Sequence, residues 1–101
     1  MANNFTRATS ANVGLAGASV YTVPASTVAV VHGLFISNKT SSTVRADIKV
    51  GSIYVVKSVE VPANQTIIPD KPINLLAGDV LSIVSNTDSA IDVFVSILEV
   101  S

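Results

Sequence analysis

The chain reads as all-β: a two-sheet antiparallel sandwich, jelly-roll-like, with about eight strands and an extended N-terminal arm. Three observations carry this reading. Val, Ile and Thr abound while Glu, Gln, Lys, Arg and Met are scarce, which favours strands over helices. Turn-forming clusters recur at short intervals, among them Pro24-Ala25-Ser26, Ser37 to Ser42, Gly51-Ser52, Pro62-Ala63-Asn64, Pro69 to Pro72, Ala77-Gly78-Asp79 and Asn86 to Ser89. Short strands between regular turns are the pattern of a sandwich or barrel. Two segments also alternate cleanly. In Thr43–Val50, Val44, Ala46, Ile48 and Val50 share one face and Arg45, Asp47 and Lys49 the other. In Ala90–Val100, Ile91, Val93, Val95 and Ile97 share one face.

The elements follow in order. Residues 1–18 are small and polar, with Gly14 and Gly17, and form the arm. Their only sizeable apolar groups are Phe5, Val13 and Leu15, the natural anchors on a neighbouring subunit. Ala8–Ala18 is the one helix candidate, and its two glycines argue against it. The sandwich domain spans 19–101. Ser19–Val23 ends at Pro24. Val28–Ile36 is apolar on both faces, as a central strand should be. Thr43–Val50 turns at Gly51-Ser52 into Ile53–Val61 as a hairpin. Thr66–Ile68, Ile73–Leu76, Val80–Ser85 and Ala90–Val100 complete the count. Val44, Ile48, Val93, Val95 and Ile97 are expected in the core, and Arg45 and Lys49 outside it.

Composition limits the function. The 101 residues fit one domain. Without Cys, neither disulfides nor thiolate metal sites can form. Only 13% of residues are charged, against 49% hydrophobic, and an ordinary domain carries about 25% charge. So little charge leaves an isolated subunit poorly solvated, and part of its surface is expected to lie under neighbouring copies. The six basic residues are scattered, so no stripe follows a phosphate backbone. No apolar run approaches the ~20 residues of a membrane helix, and the N-terminus lacks the charged-then-apolar pattern of a signal peptide. The expectation is no nucleic acid and no membrane. The Asn-x-Thr triplets at Asn4, Asn38 and Asn64 read as loop chemistry.

Chemistry has few candidates. The single His32 alternates with Val30 and Leu34 on an expected inner face, beside Gly33, and reads as a core or interface histidine. Alone it cannot build a multi-histidine metal centre, and no nucleophile-elbow sequence accompanies it. The seven carboxylates fall mostly near turns, where Asp bonds backbone. They lack the dense spacing of a calcium loop. No catalytic residue, cofactor or metal is therefore expected. The five aromatics read mainly as core or interface groups, with Tyr54 the one expected to be exposed and a further partner-contact candidate.

Several runs, in their order, resemble small β-sandwich structural proteins of tailed bacteriophages, cyanophages included. They are Tyr21 to Thr27 with Ile36-Ser37-Asn38, Val61 to Thr66, Leu75 to Leu81, and Asp92 to Glu99. The likeness covers about residues 19–101. It departs at Ser26, where the family often has Gly after Pro-Ala. The resemblance implies a virion component assembled in the host cytoplasm: a capsid decoration or cement protein, or a neck or tail accessory protein. Its partners would be itself, with a trimer favoured, and other virion proteins. The competing class is a receptor- or glycan-binding module of a tail tip or fibre.

Overall fold

A computed structural model describes residues 3–69 and 72–101. Its described strands are β1 (Asn3–Val13), β2 (Ala18–Thr22), β3 (Val28–Asn38), β4 (Val44–Val50), β5 (Ile53–Val61), β6 (Thr66–Ile67), β7 (Ile73–Leu75), β8 (Val80–Ser85) and β9 (Ile91–Val100). They form two antiparallel sheets. One runs β1-β9-β3-β6, with β7 also on β3; the other runs β2-β8-β4-β5. With β6 and β7 taken as two pieces of one broken strand, four strands face four in the winding of a jelly roll. The fold class read from the sequence is thus the one observed.

Turn chemistry fixes the connections. Val50 pairs with Ile53 across Gly51-Ser52, and Gly51 has φ +60° at the first central position of this two-residue turn. Glycine takes that conformation without a Cβ clash. In the turn from Leu76 to Asp79, Gly78 has φ +85°. The Asp79 amide donates to the Leu76 carbonyl (3.0 Å). The Leu76 amide donates in return to Asp79 Oδ2 (2.8 Å).

The core between the sheets is aliphatic. Val44, Ala46 and Ile48 enter it from β4, and Ile91, Val93, Val95 and Ile97 from β9. Leu81 and Ile83 from β8 and Val31, Leu34 and Ile36 from β3 complete its centre. The period of two in β4 and β9 sends alternate side chains inward, as their sequences require. Arg45 and Lys49 lie on the outer side of β4, with Arg45 exposed and Lys49 half-buried.

Two expectations are corrected. Residues 3–13 do not leave the body as an arm. They form β1, paired antiparallel with β9 of the same chain from Asn3–Val100 to Val13–Ile91. The chain exposes 5521 Å², close to the roughly 5400 Å² of a compact monomer of this mass. The physical reason is that a strand against a sheet margin needs only small inward groups. Thr6, Ala8 and Ser10 are half-buried, alternating with exposed Phe5, Arg7 and Thr9. Val13 is not a free anchor either; it is 2% exposed within the core.

The second correction concerns His32. Between Val31 and Gly33 the register on β9 advances by only one residue, from Ile97 to Ser96. His32 is the extra residue of a β-bulge, and a bulge inverts the alternation beyond it. Ala29 and Val31 point inward before it, Leu34 and Ile36 after it, and His32 is exposed. Glycine in a strand commonly marks such a bulge, and Gly33 is that signal here.

Polar ties close the ends. Buried Asn38 is the main one. Its Nδ2 donates to the carbonyls of Ser42 (2.8 Å), Val61 (2.9 Å) and Pro62 (3.2 Å). Its Oδ1 accepts from the Thr40 amide and hydroxyl, each at 2.8 Å. One side chain thereby ties the end of β3 to the crossover loop and to the end of β5 in the other sheet. Elsewhere the Tyr21 hydroxyl donates to Glu99 Oε2, linking β2 to β9. Burial, then the hydrogen bond to that carboxylate and its charge, raise the Tyr21 pKa well above the ordinary phenol value.

Asn38→Ala is expected to cost about 2–4 kcal/mol, because it strands several buried or half-buried backbone groups at once. The shift of the urea midpoint at constant slope measures it; a change below about 0.5 kcal/mol would contradict the role given to Asn38.

Candidate interaction surface

The outer faces of the two sheets differ in chemistry. On the β2-β8-β4-β5 sheet the outer face is charged. Arg45 pairs with Glu60 (3.6 Å), and Lys57 with Asp47 (3.4 Å). Asp47 Oδ1 also accepts the Ser58 amide (2.7 Å), holding an irregular stretch of β5 in place. Tyr54 lies between two ammonium groups, with Lys49 Nζ at 5.0 Å and Lys57 Nζ at 4.7 Å from its ring centroid. At 49% exposure, Tyr54 is the surface aromatic expected from the sequence.

The outer face of the β1-β9-β3 sheet is much less charged. Cross-strand pairing arranges it in rows. Phe5, Leu98 and Val30 form one row, and Thr9, Phe94 and Phe35 another. The Phe35 and Phe94 rings meet edge to face, 5.8 Å between centroids. Between these rows lies a polar one, Arg7 and Ser96 beside Gly33, flanked by His32. The His32 ring stands perpendicular to that of Phe5, 5.9 Å between centroids. Phe5, Arg7, His32 and Ser96 border a shallow depression of about 370 Å³. A second depression, of about 260 Å³, lies beside Phe94 and Asp92. Phe5 is 75% exposed and Phe94 38%.

At one margin of this face the chain is pinned by a polar cluster. The Asn12 amide donates to Asp92 Oδ1 (3.1 Å). Lys39 Nζ lies 3.0 Å from the same oxygen and also donates to Asn12 Oδ1. The Asn12 amide first, and Lys39 second, hold the Asp92 carboxyl below the usual carboxylate range.

The four partner-contact residues named from the sequence do not come together. Phe5 lies on the outer face of the β1-β9-β3 sheet. Leu15, 60% exposed, sits in the turn after β1. There it borders a depression shared with Arg45, Asp47 and Lys57 on the opposite sheet. Tyr54 lies on that sheet as well, and Val13 is in the core. Sequence reading missed the pair Phe35 and Phe94 and the outward His32. The signal for Phe94 was present: it alternates with Val93 and Val95, which face inward. Among the described residues no three His, Asp or Glu side chains gather as a metal site. Also among them, no helix is long and apolar enough to cross a membrane.

The two faces of β9 predict opposite responses to mutation. Ile97→Ala should cost about 2–5 kcal/mol through loss of burial and the cavity left behind. Phe94→Ser should change the stability of a dilute, unassembled subunit by less than about 1 kcal/mol, since its ring packs only on the surface. Chemical denaturation of both variants checks this, and similar costs for the two would contradict the assigned faces.

No protein-family model matches the chain, and no curated protein matches it either.

Proposed function

We propose that the chain is a structural component of a bacteriophage virion, a capsid decoration or cement protein or a neck or tail accessory protein, that oligomerises on the particle. The observation that carries this reading is the outer face of the β1-β9-β3 sheet. It presents Phe5, Leu98 and Val30 in one row and Phe94 and Phe35 in another, separated by a row whose single formal charge is Arg7. Exposed aromatic and aliphatic groups in contact with one another mark a surface covered by protein. The jelly-roll winding agrees with the reading, since viral capsid domains use this architecture, although one fold serves many functions. The order of motifs that resembles phage structural proteins adds the particle. A homo-oligomer is the proposed state, with a trimer favoured, and other virion proteins are the proposed further partners.

Tyr54 gives a second reading its one supporting observation. An exposed aromatic flanked by Lys49 and Lys57 suits a glycan- or receptor-binding module of a tail tip. Retention on an acidic polysaccharide column, lost in Tyr54→Ala, would favour that reading.

The leading proposal is tested in two steps. The purified chain is expected to sediment as an oligomer at micromolar concentration. An electron-microscopy map of purified particles is expected to contain its jelly roll at a symmetry-related set of surface sites. A monomer at high concentration together with absence from the particle would overturn the proposal.

A further inference from the structure

The two sheets have four edges, and three are guarded. β2 has five residues and a register shift after Ser19. β5 has two register shifts and carries Lys57 and Glu60. β6 and β7 have two and three residues. Short strands, bulges and charges are the devices by which proteins keep sheet edges from pairing with other chains.

β1 is long, and its one register shift falls near its end, between Ser10 and Val13. From Asn3 to Ser10 it pairs with β9 residue by residue without a break. It contains no Pro and no Lys, and Arg7 is its one charged residue. Its far side pairs with no described strand. Half of its backbone N–H and C=O groups therefore point away from the sheet. The partner that satisfies such a row directly is another extended strand.

Resting on the oligomer proposed above, we infer that β1 of a second copy pairs antiparallel with β1 across a two-fold axis. The two β1-β9-β3 sheets then become one continuous sheet. A second copy fits for two reasons. An antiparallel edge is its own complement, because each strand offers the same alternation of donors and acceptors to its mate. The edge is also nearly neutral, so like charges oppose each other only in the register that places Arg7 against Arg7. The paired strands carry Phe5 of each copy onto one shared outer face, extending the apolar rows rather than ending them. A two-fold contact does not close a trimer. Combined with a three-fold contact through the apolar face, it gives a D3 hexamer, two trimers back to back.

The chain has no Cys, which permits a clean test. Single Cys substitutions are placed in turn at each position from Asn4 to Ala11 of the full chain. Folding is confirmed by circular dichroism, and disulfide-linked dimers are quantified after mild oxidation. In an antiparallel two-fold pair, only the residue on the axis lies about 4.5–5.5 Å from its own mate, within disulfide reach. Residues one step away in either direction are already too far. Cross-linking confined to one position supports the pairing. Uniformly low cross-linking in variants that still sediment as oligomers, as the parent chain does, overturns the pairing and leaves the oligomer in place. A parent chain that sediments as a monomer overturns both.

Discussion

The placement of β9 between β1 and β3 is the interaction on which the rest of the structure depends. Its register with β1 and β3 joins the first strand and the last to the sheet's central strand. The same ten residues serve two surfaces. Ile91, Val93, Val95 and Ile97 fill the interior, while Phe94 and Leu98 stand on the outside between side chains of β1 and β3. Were β9 to slip by one residue, the aliphatic row would face outward and the aromatic face would enter the core. The Asn12–Asp92–Lys39 cluster at one end of β9 and the Tyr21–Glu99 bond near the other oppose such a slip.

The division between an aliphatic interior and aromatic exterior follows from size. A sandwich of about a hundred residues has a thin core, about 10 Å between sheets, that Val, Ile and Leu fill from both sides. Phe5, Phe35, Phe94 and Tyr54 all lie outside the buried cluster. Large rings kept on the surface of a chain with so few charges are costly to hydrate. On the β2-β8-β4-β5 sheet, Tyr54 is offset by two ammonium groups and the ion pairs around it. The aromatic rows on the β1-β9-β3 sheet have Arg7 and His32 between them and the paired Asp92 and Lys39 at one margin. Among the described residues no cation stands over either ring row as it does over Tyr54, so covering the rows with another protein surface is the larger gain.

How much of this was legible in the sequence depended on contrast between faces. β4 and β9 were readable because aliphatic and polar or aromatic residues alternate without interruption. β1 was not, because its inward groups, Thr6, Ala8 and Ser10, are small and carry no aliphatic signal, and its partner lies some ninety residues away. The inversion at His32 was hidden for a different reason. A bulge shifts parity by one residue, and only Gly33 beside it hints at the irregularity. The aromatic surface was missed because rings inside strands are usually core groups. Asn38 was seen as a turn residue, whereas its role comes from three carbonyls that only the folded chain brings together. Where the chain crosses between sheets was written in its turns; what lies on the outside of those sheets was not.

The central claim is that the outer face of the β1-β9-β3 sheet is covered by protein in the assembled state. Hydroxyl-radical footprinting read by mass spectrometry tests it directly, by comparing Phe5, Phe35 and Phe94 in concentrated and highly diluted protein. The account predicts strong protection of Phe5 and Phe94 on concentration, with the rings regaining reactivity on dilution. Equal reactivity of these rings in a sample shown to be oligomeric would place the interface elsewhere and contradict it.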